Sequence, residues 1–149
     1  MAERRKDSVV AREVQVALPR ELSGPVNKQL AIAFAHFLRA NFGVAIDVAI
    51  HTGRTRKEKK DQPHAHLLLT TRRVSDEGEI GAKTTELDNI RTGRVCVEQI
   101  RAQWADLCNA ALTEAGIESQ VDHRSYQRQG TAQEGAHVPR GALELEAQG

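Results

Sequence analysis

A chain of 149 residues, 40% hydrophobic and 28% charged, has the size of one domain and the balance of a folded protein rather than a disordered one. Its 21 basic and 20 acidic residues leave a net charge of +1, so no chain-wide field advertises a polyanionic partner and any such signal must be local. No apolar run approaches the roughly 18 residues of a membrane span, and the opening "MAERRKDS" lacks the apolar stretch of a secretory signal; both point to a cytoplasmic, membrane-free protein.

In chain order, "REVQVALP" alternates Glu13, Gln15 and Ala17 on one face with Val14, Val16 and Leu18 on the other, and Pro19 closes it: a strand. In "SGPVNKQLAIAFAHFLRANFG", Ser23 is an N-cap, Pro25 suits the first turn and Gly43 the stop. Val26, Leu30, Ala33, Phe34, Phe37 and Leu38 fall on one stripe at helical spacing, so this helix should pack on a sheet, with His36 on its polar side.

"VAIDVAIH" and "HAHLLLTTRRV" read as two further strands, joined by the basic connection "TGRTRKEKKDQ". The polar, Gly-containing stretch from Ser75 to Arg94 reads as mostly loop, long enough to suggest a binding loop or hidden order. A second helix is predicted from about Val95 to Ala115, with Val97, Ile100, Trp104, Leu107, Cys108, Ala111 and Leu112 inward and Gly116 as its stop. "SQVDHRS" reads as a short strand carrying His123, and residues 131–149, including His137, as a loosely ordered tail after a domain spanning 1–130. Cys96 and Cys108, about 18 Å apart along one helix, cannot pair and read as core thiols of a reducing compartment.

The residues that carry chemistry cluster around "PHAH". Alternate side chains of a strand share a face, so His64 and His66 project together, about 6 to 7 Å apart along the strand. If "VAIDVAIH" pairs antiparallel with "HAHLLLTT", His51 joins them at the same end of the sheet. Three neutral imidazoles suit a divalent ion, Mn, Ni, Co or Zn more than bare Mg, and leave coordination positions for water or a phosphate oxygen. Glu13 is the candidate carboxylate to orient an imidazole, with Asp47 as a weaker one. The competing reading is an exposed or packed histidine pair with no ligand role. Likewise Arg54, Arg56, Lys57, Lys59 and Lys60 form either a solvated loop or a clamp on a phosphate backbone.

The order and spacing of "AREVQVALPRELS", "DVAIH", "PHAHLLLTTR", "GAKTTELD", "RAQWADLCNAALTEAG" and "VDHRSYQRQG" resemble the MobA/MobL family of conjugative relaxases, within the histidine-hydrophobe-histidine group of endonucleases. The resemblance runs from about Arg5 to Gly130, and the combination of "PHAH", "TTR" and "DHRS" is specific to it. It implies an α+β fold, an antiparallel sheet with helices packed on one side, in a two-layer relaxase-like domain. It also implies plasmid mobilisation: metal-dependent nicking and transesterification of single-stranded DNA at a transfer origin, with accessory mobilisation proteins as possible partners in a bacterial cytoplasm. The metal, Mn or Mg first and Zn, Ni or Co as alternatives, would sit on His51, His64 and His66 and polarise the scissile phosphate.

The departures from the family matter as well. There the attacking tyrosine precedes the strand equivalent to "REVQVALP", in an alanine-rich helical segment, and this chain starts too late to contain it. Tyr126 stands elsewhere in the family's layout, so no catalytic residue is assigned to the chain, and an enzyme inactive by itself is the expectation. Thr85 replaces a family arginine before "ELD", removing one possible phosphate contact, and the proline-then-histidine segment after "QG" is blurred into "GAHVPRG". The alternatives are an active enzyme whose tyrosine comes from a separate piece, and a non-enzymatic DNA-binding or regulatory remnant of a relaxase.

Overall fold

The computed structural model describes residues 5–52 and 63–130. The basic connection with Arg54, Arg56, Lys57, Lys59 and Lys60 lies outside the described residues, as does the tail from residue 131 with His137. Strands β1 (Ala11–Ala17), β2 (Val44–His51), β3 (His64–Val74) and β4 (Ile80–Lys83) form one antiparallel sheet, with helices α1 (Gly24–Phe42), α2 (Thr85–Asp88) and α3 (Ile90–Glu114) between and after them. β3 is the central strand, paired with β1 on one edge and β2 on the other, and β4 pairs with the far end of β3 beyond the last residue that β1 reaches.

The period-2 pattern decides which face is covered. Val14 and Val16 of β1, Val44, Ile46, Val48 and Ile50 of β2, and Ala65, Leu67 and Leu69 of β3 point to the helix side, where Leu30, Ala31, Phe34, Leu38 and Phe42 of α1 meet them. α3 adds Ala105, Cys108 and Leu112, and Trp104 tilts against Phe34 with ring centroids 4.9 Å apart. This is the α+β fold, helices on one side of an antiparallel sheet, that the resemblance implied. The other face of the sheet is open among the described residues.

α1 begins and ends where its capping residues place it: Ser23 Oγ accepts from the Val26 amide (3.5 Å), and Gly43 turns out of the helix at φ 66°, its amide donating to Arg39 O (2.7 Å). Two members of the predicted stripes are not inward. Ala33 is exposed, and Val97 is 47% exposed on α3.

Two segments differ from expectation. The stretch read as loop from Ser75 to Arg94 holds β4, α2 and the first turn of α3. Its order comes from partners distant in sequence. Thr84 is fully buried, its amide and Oγ both donating to Thr71 O (2.9 and 3.0 Å), while Arg12 reaches across from β1 to donate to Thr84 Oγ1 (2.7 Å) and pair with Asp88 (2.7 Å). Asn89 then caps α3 by accepting from the Arg91 amide (2.9 Å), and Gly93 lets the helix pass so close to α2 that a Cβ would stand 3.0 Å from Leu87 O.

The strand expected at "SQVDHRS" does not form either. The Asn109 side chain takes the pairing groups a strand would need: its Nδ2 donates to Val121 O (2.9 Å) and its Oδ1 accepts from the Val121 amide (2.7 Å). Further on, Asp122 accepts from the Arg124 guanidinium and backbone amide, which hold its carboxyl at about 2. Glu98 accepts from Arg128 (2.8 Å) and stands 3.2 Å from His123 Nε2; the Arg128 bond, foremost, pulls the Glu98 carboxyl below its ordinary range. This segment is thereby anchored to α3 as an irregular strap.

Both cysteines are free thiols, with Cys108 buried and Cys96 half-buried. Burial pushes the Cys108 thiol up to about 12, and the thiolate is the reactive form. A disulfide reagent at mildly alkaline pH is therefore expected to titrate Cys96 in the folded protein and to reach Cys108 only on unfolding. Cys96→Ser should remove the native reaction; a fast-reacting Cys108 would show that the core is open.

Candidate metal centre

Register puts the three histidines together. His51, the last residue of β2, is the cross-strand partner of His64, the first of β3, and both lie on the open face. His66 follows two residues on, facing the same way, opposite Ala49 on β2 and Gln15 on β1. Ala17 opposite His64 and Ala49 opposite His66 are too small to fill the space over the rings.

The three rings form a closed triangle with centroids 4.8 to 5.2 Å apart, and one nitrogen from each lies within 4.8 Å of the others. His51 is exposed, and His64 and His66 are half-buried, so the cluster is accessible from solvent on its outer side. Glu13 extends diagonally from β1, its register partner being Leu68, and its Oε1 accepts from His66 Nδ1 at 2.5 Å. That bond places the proton on Nδ1 and leaves the Nε2 lone pair of His66 for a ligand.

The donor set fits a divalent cation. Three imidazoles each offer one nitrogen within 4.8 Å of the other two, and the flanking carboxylate offsets part of the charge that a cation would bring. Of the two carboxylates considered from sequence, Glu13 makes the contact, whereas Asp47 is exposed opposite Leu68 on the same face. The basic residues predicted beside the site fall in the undescribed connection between His51 and His64. Thr85 is exposed at the start of α2, and Tyr126 is 58% exposed in the strap anchored to α3.

The strap, the buried Thr84 and the Arg12 bridge were not singled out from sequence. An arginine on the apolar face of a period-2 strand was the one available signal, since a buried guanidinium requires partners.

The family model of the MobA/MobL family matches residues 1–143, and the chain belongs to that family. It is 35% identical to "Mobilization protein MobL" of Acidithiobacillus ferridurans, over 85% of this chain and 40% of that protein. It is 32% identical to "Mobilization protein A" of Escherichia coli, over 93% of this chain and 21% of that one. With "Conjugal transfer protein TraA" of Agrobacterium fabrum the identity is 30%, over 86% of this chain and 12% of that protein. The chain thus spans less than half the length of these relatives. Among solved structures, one described as "Molecular Basis of Vancomycin Resistance Transfer in Staphylococcus aureus" superposes with a TM-score of 0.64 and 30% identity, over 82% of this chain and 61% of that one. No helix among the described residues is long and apolar enough to cross a membrane.

Proposed function

We propose that this chain is the metal-binding part of a conjugative relaxase, holding the scissile phosphate of single-stranded transfer-origin DNA over His51, His64 and His66. The observation that carries this reading is the convergence of three imidazoles, one oriented by Glu13, on an open sheet face. A divalent ion, Mn ahead of Mg on an all-imidazole donor set, supplies Lewis-acid stabilisation of the phosphate's developing charge when bound. His51, His64 and His66 hold it, Glu13 fixes the His66 tautomer, and the open face gives a DNA strand access. The cations Arg54, Arg56, Lys57, Lys59 and Lys60, next in sequence to His51, serve as phosphate contacts, and accessory mobilisation proteins would position the origin.

The attacking hydroxyl of the reaction is a tyrosine from outside these 149 residues. Tyr126 is the chain's sole tyrosine, and the strap that carries it is tied to α3 through Arg128 and Glu98. Its placement favours a second reading for the isolated chain, a DNA-binding module that does not cleave. Incubation with origin oligonucleotide and Mn should give binding without a covalent adduct. His64→Ala should abolish Mn binding by calorimetry, while alanine at the five loop cations should weaken single-strand binding and flatten its salt dependence by about 0.7 per lost phosphate contact. An adduct on Tyr126 would refute this division of labour.

A further inference from the structure

A cavity of about 730 Å³ lies at the end of the sheet where β2 finishes and β3 begins, on the helix side and around the edge from the histidines. Thr52 and Pro63, each next in sequence to a histidine of the cluster, are among the residues that line it. Leu18, Leu22 and Ile50 form apolar walls, and among the described residues the charged ones lining it, Arg20 and Lys28, are both cations. The wall is fixed: the Leu18 amide donates to Pro63 O (2.9 Å), and Asn27 Nδ2 donates to Pro19 O (2.9 Å) and Leu22 O (3.4 Å). The volume falls within the range of small-ligand sites, roughly 300 to 1,000 Å³.

We infer that this cavity receives a base of the DNA strand, from a nucleotide neighbouring the phosphate held at the histidines. The inference rests on the single-strand reading above and adds to it a place where the strand is gripped by its base. Apolar walls accept the face of a nucleobase, and Arg20 and Lys28 meet the phosphates on either side of it. A phosphate alone would need no apolar depth, and an apolar ligand alone would need no cations. Because the histidines and the cavity share one end of the sheet, a strand passing around that end engages both.

Gly24, the first residue of α1, lines the cavity, and a Cβ there meets nothing within 4 Å. Gly24→Leu therefore adds a bulky side chain to the lining at a position where its Cβ meets no neighbour. The probes are oligodeoxythymidylate and an abasic deoxyribose-phosphate oligomer of equal length, compared by fluorescence anisotropy with Mn present. The wild-type chain should bind the base-bearing oligomer about tenfold more tightly. Gly24→Leu should erase that preference while leaving affinity for the abasic oligomer and Mn binding unchanged. A preference that survives in Gly24→Leu overturns the base site and leaves the relaxase reading standing. Failure of the wild-type chain to bind either oligomer overturns both. Should Gly24→Leu not fold, Arg20→Ala combined with Lys28→Ala decides: the slope of log affinity against log salt must fall by about 0.7 per lost contact, and an unchanged slope refutes the site.

Discussion

Phe34→Ala is expected to cost about 3 to 5 kcal/mol of folding free energy, the largest effect of any single truncation considered. Phe34 has no exposed surface, stacks on Phe37 at 6.2 Å and meets Trp104 of α3 at 4.9 Å, so it joins both long helices to the sheet. Removing the ring forfeits its transfer free energy and leaves a cavity where two helices and β1 meet, a place with little freedom to collapse. A domain of this size has only about 5 to 15 kcal/mol to lose, so the variant should be close to unfolded at growth temperature. Trp104 is the chain's sole tryptophan, and its emission reports directly on this contact. The check is urea unfolding followed by Trp104 fluorescence: the midpoint should fall steeply with an unchanged slope, and Phe34→Leu should recover most of the loss. A loss below about 1 kcal/mol would mean that α1 and α3 do not share one core.

What could be read from sequence divides along the same physical line. Val14, Val16, Phe34 and Leu38 announce themselves because burial on one face imposes a period of 2 or 3.6, and that regularity survives any tertiary arrangement. The histidine cluster was legible for the same reason. Parity alone places His64 and His66 together, and one assumption, that the neighbouring strands form a hairpin, brings in His51. Glu13 followed from its place on the polar face, although the diagonal contact with His66 rather than a direct cross-strand one depends on register, which periodicity does not give.

The misses lie where order depends on one specific distant partner. β4 and α2 carry no apolar rhythm; they are held by Thr84 packed on Thr71 and bridged by Arg12, three residues from three separate segments. At "SQVDHRS" a short strand is expected and none forms. β-propensity describes fitness for a pleated surface, and the Asn109 carboxamide satisfies Val121 before any strand can. Side chains that compete for backbone groups override local preference, and a single sequence does not reveal which of them will.

Glu13→Gln should lower divalent-metal affinity by about 10 to 100-fold, or about 1.4 to 2.7 kcal/mol, while leaving the fold intact. Glu13 is 53% exposed on the open face of the sheet, so glutamine there should leave the domain folded. Its carboxylate accepts from His66 Nδ1, and there it holds the ring in place and offsets part of the charge that a cation brings. Glutamine can still accept from Nδ1 but brings no charge, so both effects weaken. His66→Ala removes a donor outright and should exceed the loss in Glu13→Gln. Asp47→Asn is the matched control, since Asp47 is an exposed carboxylate on the same face, in register with Leu68 rather than bonded to an imidazole. Calorimetric titration with Mn separates the possibilities. If the carboxylate acts through His66, Glu13→Gln weakens binding and Asp47→Asn leaves it alone. If the face merely attracts cations by its acidity, the two variants lose affinity equally and raised salt abolishes the difference from wild type. The first outcome makes Glu13 a positioning residue of the metal centre, and the second leaves it an exposed acid beside three histidines.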